Sequence, residues 1–318
     1  MTEKRGRRWP RIIMWTAAVF AILAGAGFGY ETVARGGDAD RHPPRGRLID
    51  VGGHRLHLYC TGTGGPTVIL EAGLGESSAS WADVQSRIAA RTRVCSYDRA
   101  GYAWSEEGPG PRTADREARE LHTLLDAAGE AGPYVLVGHS YGGAVVRVFA
   151  HHWSDQTAGL VLVDSMDESG VGELRVARPL VAAQFTAYEL AGRFGLLRLL
   201  GGSAAAPPDA PEIAVRDAAV VYGPASMAAA RAEGWSTVDS AAQVAATVRA
   251  GAWRDLPVVV IVAKGQPEEV VAHHRGLAAM SARGRLVVAG TAEHYVQYAQ
   301  PDLVVDAVSE VAGSADRG

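Results

Sequence analysis

Hydrophobic and polar positions divide the chain into stretches with different periods. The first is an uncharged run from Ile12 to Gly29, preceded by Lys4, Arg5, Arg7, Arg8 and Arg11. Its 18 residues are at the short end of what crosses a hydrocarbon core as a helix, and a basic flank stays cytoplasmic. Residues 1–30 are therefore expected to form a transmembrane anchor, with the bulk of the chain outside the cytoplasm. A cleaved signal sequence with Ala24-Gly25-Ala26 at its end is the competing expectation and would make the protein secreted; the length of the apolar run favours retention. Residues 31–46 are polar, contain Gly36-Gly37 and Pro43-Pro44, and read as a linker.

From Leu48 onward short apolar runs alternate with longer amphipathic stretches, the pattern of a mostly parallel sheet covered by helices. Eight strands are expected at residues 48–51, 55–60, 67–70, 93–97, 134–137, 160–163, 258–262 and 285–288. Gly52-Gly53 joins the first two as a tight hairpin, so the sheet should open antiparallel before turning parallel. Helices are expected at residues 81–90, 112–128, 142–151, 268–281 and 302–311, filling the crossovers. Between Met166 and Leu256 the strand pattern lapses into Ala-rich, helical sequence broken by Gly201-Gly202 and Pro207-Pro208. The expected layout is thus a core of residues 47–165 and 257–314, with residues 166–256 inserted as a helical cap over a substrate pocket.

Composition narrows the chemistry. With 318 residues, 47% of them hydrophobic, the chain can bury one large core, and a single unit with an insertion fits better than two domains. The formal charge of −4 and the scattered basic residues give no nucleic-acid footprint, which leaves a small organic molecule as the expected partner. Two cysteines without Cys-x-x-Cys spacing and ten dispersed histidines assemble no metal motif, and no cofactor motif is present either.

The segment Val135-Leu136-Val137-Gly138-His139-Ser140-Tyr141-Gly142-Gly143 matches G-x-S-x-G. The pentapeptide alone is weak, but an apolar strand leads into it and a helical pattern leads out, which is the strand-turn-helix context of a nucleophile elbow. On these residues the stretch from Leu48 to Val311 resembles the α/β-hydrolase superfamily, in its serine-nucleophile, esterase- or lipase-like branch. The resemblance implies an eight-stranded, mostly parallel sheet with an inserted helical cap. It implies Ser140 as nucleophile and His294, just past the last strand, as base and start of the final helix. An oxyanion hole would come from the backbone N–H groups of Leu74, in Glu71-Ala72-Gly73-Leu74-Gly75, and of Tyr141. Ala72 departs from the family's usual His, yet a main-chain donor survives that change. Tyr97-Asp98-Arg99-Ala100-Gly101 looks like the family's loop after the fourth strand, and Asp98 and Arg99 are expected to fix one another and that loop.

The acid of the triad is less direct. Many relatives carry it after the seventh strand, where this chain has Gln266, so Asp164 at the end of the sixth strand is the expected acid, with Glu268 or Glu269, then Asp167, as alternatives. The second and fourth strands are antiparallel neighbours in such a fold, so Cys60 and Cys95 could form a disulfide or remain two buried thiols. The expected activity is hydrolysis of a small carboxylic ester through an acyl-serine, the serine arguing against the aspartate-dependent dehalogenase and epoxide-hydrolase branches. The alternatives are a ligand-binding or receptor-like protein on the same scaffold with little turnover, and a tethered interaction protein with a vestigial pocket.

Overall fold

The computed structural model describes residues 9–201, 203–247 and 252–315, so Lys4, Arg5, Arg7, Arg8 and Gly202 lie outside the described residues. The strands are β1 Arg47–Asp50, β2 Arg55–Thr61, β3 Thr67–Glu71, β4 Val94–Tyr97, β5 Tyr134–His139, β6 Thr157–Val163, β7 Val258–Val262 and β8 Gly284–Val288. They form one sheet in the order β1-β2-β4-β3-β5-β6-β7-β8. The β1/β2 and β2/β4 pairs are antiparallel and all others parallel, as the hairpin at Gly52-Gly53 and the crossovers predict. Strands β3, β5 and β7 are buried along their whole length, which is why they read as unbroken apolar runs instead of alternating ones.

The helices are α1 Trp9–Gly36, α2 Asp38–Arg41, α3 Ala82–Ile88, α4 Ala114–Ala128, α5 Tyr141–His152, α6 Val171–Arg193, α7 Leu196–Leu199, α8 Glu212–Arg216, α9 Ala218–Val221, α10 Pro224–Thr247, α11 Glu268–Ala278, α12 Val296–Ala299 and α13 Pro301–Ala315. Two apolar layers sandwich the sheet. On one face α4, α5 and α11 pack Leu121, Leu125, Val145, Phe149 and Leu277 onto Leu136, Leu160 and Val260. On the other, α3 and α13 pack Val84, Ile88, Val304 and Val308 onto Val68, Val137 and Ile261. Successive strand residues point to opposite faces, so each strand feeds both layers.

Between β6 and β7 the chain forms the expected helical insertion, α6 to α10, in which α6 and α10 pack along one another. A smaller apolar cluster of Ala79, Ile213, Ala218, Val221, Tyr222 and Met227 joins it to the core.

One expectation about the fold needs correction. Residues 31–46 do not begin as a linker: α1 continues to Gly36 and is followed at once by α2. Tertiary contacts explain it, because Arg198 of α7 holds two carboxylates of this stretch, Glu31 at 2.9 Å and Asp38 at 2.6 Å. Those charges looked like solvated linker residues in the sequence, yet both are buried. The open question at the cysteines is resolved as a bridge: Cys60 and Cys95 are directly opposed across β2 and β4 and are disulfide-bonded. The bond closes a loop with a sequence separation of 35, which in a chain-entropy account stabilises the fold by about 3–4 kcal/mol. Replacing both cysteines by serine is expected to lower the urea-unfolding free energy by about that amount; an unchanged midpoint and slope would show that the bridge does not constrain the unfolded chain.

Candidate active site

Strand β5 ends at His139 and α5 starts at Tyr141, leaving Ser140 alone to turn the chain. Its backbone is at φ 51° and ψ −120°, a conformation that costs a non-glycine residue about 1–3 kcal/mol. Close packing holds it there. A Cβ on Gly138 would lie 2.6 Å from the Gly142 carbonyl oxygen, and one on Gly142 would lie 2.6 Å from the carbonyl oxygens of Glu71 and Ala72. Only glycine lets β5, α5 and the end of β3 approach so closely. The Ser140 N–H also donates to the Val163 carbonyl at 3.0 Å, tying the turn to β6.

His294 Nε2 lies 2.9 Å from Ser140 Oγ, and His294 Nδ1 lies 2.6 Å from an Asp164 carboxylate oxygen. The other Asp164 oxygen accepts the Ala263 N–H at 3.0 Å, so the backbone just past β7 fixes the carboxylate that follows β6. Burial pushes the Asp164 pKa up, but the hydrogen bonds from His294 and Ala263 more than offset it, and the group titrates below its ordinary value. His294 itself is in a loop ahead of α12, not at the start of the last helix, which begins at Pro301. Its side chain is 46% exposed, and Ser140 is itself partly exposed.

The alternative acids lie elsewhere. Glu268 and Glu269 are exposed at the start of α11, Glu268 against Arg275 at 3.3 Å. Asp167 contacts Ser169 and His273. Asp167, Glu168 and His273 bring ligand atoms within 4.8 Å of one another, but Glu168 is committed to the Arg147 guanidinium at 2.7 Å.

Leu74 sits in the turn after β3 and Tyr141 is the first residue of α5, where a backbone N–H has no carbonyl one turn back. The loop carrying Leu74 is gripped from both sides. Arg99 donates to the carbonyls of Ala72 at 2.6 Å and Gly73 at 2.9 Å, while the Gly73 N–H donates to Glu76 at 2.8 Å. Arg99 also pairs with Glu71 and with Glu233 of α10, each at 2.7 Å, and all three side chains are buried. Arg99 and Asp98 therefore do not fix one another. Asp98 instead receives the Ser78 N–H at 2.7 Å and pairs with His57 at 2.8 Å. Glu117 lies against the same cluster; burial first, then the Glu233 charge, push its pKa well up, which favours its neutral form.

A second histidine supports the first. His139 Nδ1 is 2.6 Å from Glu76 and its Nε2 is 3.0 Å from the His294 carbonyl oxygen. The other Glu76 oxygen accepts from Tyr298 at 2.7 Å. Burial alone would lower the His139 pKa, but the Glu76 carboxylate outweighs it and raises it; Glu76 is lowered in return, against its own burial, by the His139 charge. With both ring nitrogens protonated, His139 donates to Glu76 and to the loop that carries His294. The glycine spacing that marks Ser140 gave no role to His139, and Glu76 had no signal beyond an acidic residue beside Gly73 and Gly75.

The α/β-hydrolase family profile matches residues 68–307. The chain belongs to the α/β-hydrolase family. YqjL of Bacillus subtilis strain 168, an uncharacterised protein, is 38% identical over 103 residues, 32% of this chain and 41% of that protein. The matched stretches span 21%, 41% and 46% of the length of three curated relatives. Among solved structures, the enol-lactonase of Burkholderia xenovorans LB400 superposes with a TM-score of 0.59 at 21% identity, covering 83% of this chain and 99% of that one. A thermophilic esterase of Thermogutta terrifontis gives 0.59 at 23% identity, covering 83% and 96%. These likenesses show the shared hydrolase fold.

The His139–Glu76 pair makes a pH-dependent contribution to stability. The raised His139 pKa gives stability that is full below its unfolded value of 6.5 and is lost as pH rises through the folded value. The lowered Glu76 pKa gives stability present above 4.5 and lost as pH falls through its folded value. Melting of the native chain and of Glu76→Gln should therefore differ most between pH 4.5 and 6.5, the gap narrowing as pH rises further. A gap that stays constant up to pH 9 would refute the pair's ionisation.

Proposed function

We propose that this hydrolase-family chain is a serine hydrolase that cleaves a small carboxylic ester through an acyl-serine. The observation that carries the reading is the unbroken relay from Ser140 Oγ through the His294 ring to the Asp164 carboxylate. As His294 Nε2 takes the hydroxyl proton, Ser140 Oγ attacks the acyl carbon and the carbonyl π pair moves onto oxygen. The Leu74 and Tyr141 N–H groups receive that negative charge, an effect worth about 3–4 kcal/mol per donor. Collapse expels the alcohol with the proton returned by His294. Water, deprotonated by the same imidazole, then attacks the acyl-serine and releases the acid and free Ser140. Asp164 stays ionised throughout, holding the imidazole in the tautomer that presents a bare Nε2.

Neighbours named as an enol-lactonase and an esterase support acyl chemistry of this kind. A ligand-binding or receptor-like protein on the same scaffold would be favoured by loss of a triad member, and the contact of Asp164 with His294 supports the enzyme reading instead. We further propose that the apolar part of α1 anchors the chain in a membrane, with the core outside the cytoplasm and α6 to α10 serving as the cap. The Cys60–Cys95 bridge supports an oxidising compartment.

Ser140→Ala is expected to abolish ester turnover and labelling by a fluorophosphonate. Asp164→Asn should leave the fold intact and cut turnover about 10⁴-fold, whereas Glu268→Gln should leave it near normal. Native folded protein that fails to label at Ser140, or an Asp164→Asn variant of near-normal rate, would overturn the mechanism.

A further inference from the structure

Helix α6 has two working faces. Its inner face carries Ala182, Phe185 and Glu189, and Phe185 packs over the oxyanion-loop turn: a Cβ on Gly75 would lie 3.1 Å from its ring. Its outer face carries Val176, Leu180, Ala183, Ala187, Leu190 and Phe194, all exposed, at spacings of four and three residues. Such spacing makes one continuous stripe about 27 Å long. The leucines around α7 continue it, with Leu196 at 52%, Leu199 at 68% and Leu200 at 71% exposure. An unbroken apolar strip of this size on a soluble surface marks something that covers it.

The position of α1 says what that is. The uncharged run ends at Gly29, and Gly27 packs directly against the Phe194 carbonyl while Gly195 lies under the Tyr30 ring. Arg198, with bonds to Glu31 at 2.9 and 3.0 Å and to Asp38 at 3.0 and 2.6 Å, clamps α7 onto the residues that follow that run. The Phe194 end of the stripe thus sits beside the C-terminal end of the uncharged run of α1. A helix so placed, apolar on one side and flanked by Arg175 and Arg193, suits the headgroup boundary.

We propose that the outer face of α6, continued by α7, lies in the headgroup layer of the bilayer that α1 crosses, and that the substrate is an amphiphilic acyl ester entering from that bilayer. This rests on α1 as anchor and Ser140 as nucleophile. One helix then touches lipid on one side and the oxyanion loop on the other, so a lipid-borne ester reaches Ser140 without crossing bulk water.

The test uses the full chain in phosphatidylcholine–phosphatidylglycerol vesicles, with nitroxides on single cysteines replacing Phe20, Leu180, Leu200 or Asp126; the native cysteines are bridged and take no label. Labels at 180 and 200 should collide more with oxygen than with a water-soluble nickel chelate, as at 20 and unlike 126. Nickel access at 180 and 200 with 20 in lipid would overturn the docked face while leaving the anchor intact. Shielding from both reagents with spin–spin broadening would assign the stripe to a second copy of the chain instead. A water-exposed label at 20 would overturn the anchor and this proposal with it.

A second arm compares native chain with Leu180→Glu/Leu199→Glu/Leu200→Glu. Turnover of a long-chain ester held in the vesicles should fall at least about tenfold, while that of a short soluble ester stays unchanged. Equal loss on both esters would overturn the proposal. No turnover of either ester by the native chain would mean that the hydrolase mechanism has failed, and the substrate claim with it, while the label positions still report the docking.

Discussion

The architecture depends on how closely β5, α5 and the end of β3 approach around Ser140. Backbone there meets backbone with no room for a side-chain carbon at Gly138 or Gly142, and Ser140 adopts a conformation it would not choose by itself. That conformation persists because the neighbouring elements over-determine it. β5 is paired on both sides, to β3 and β6, and its helix is buried along nearly its whole length. Packing energy spread over many apolar contacts thus holds one serine hydroxyl in place, while Asp164 is positioned by the next strand over and His294 by a loop tied to His139.

A different logic governs the charges beneath the site. Arg99, Glu71, Glu117 and Glu233 are all essentially withdrawn from water, where ions lose solvation that pairing only partly replaces. An apolar cluster of the same volume could stabilise the fold as well. What the ions add is direction: a guanidinium reaches two loop carbonyls and two carboxylates at once, and one of those carboxylates belongs to the insertion. Removing Arg99 alone would strand buried carboxylates, so loop and insertion are held in one arrangement by a group whose loss is costly.

The sheet was largely legible in the sequence because period and apolar run length are local properties. Each of the eight expected strands lies within about three residues of an observed one, and the elbow announced itself through glycine spacing. The carboxylate that meets His294 was harder, since Gln266 removed the familiar signal and only the end of β6 and the chain order favoured Asp164. What sequence reasoning missed is non-local. Glu76 meets His139 across 63 residues and Arg99 meets Glu233 across 134, and no spacing rule links such pairs. The continuation of α1 through Gly36 and the burial of Glu31 and Asp38 depend likewise on Arg198, far along the chain. The stripe on α6 was present as a four-three spacing, but its meaning needed the position of α1.

The clamp at Arg198 also separates attachment from architecture. Its partners Glu31 and Asp38, and the Gly27 contact with Phe194, all lie on the C-terminal side of Ala24-Gly25-Ala26. A peptidase cutting after Ala26 would remove most of the apolar rod and leave every one of these contacts in the released chain. The contacts that fix this end of α1 on the body therefore do not depend on the apolar rod that precedes them.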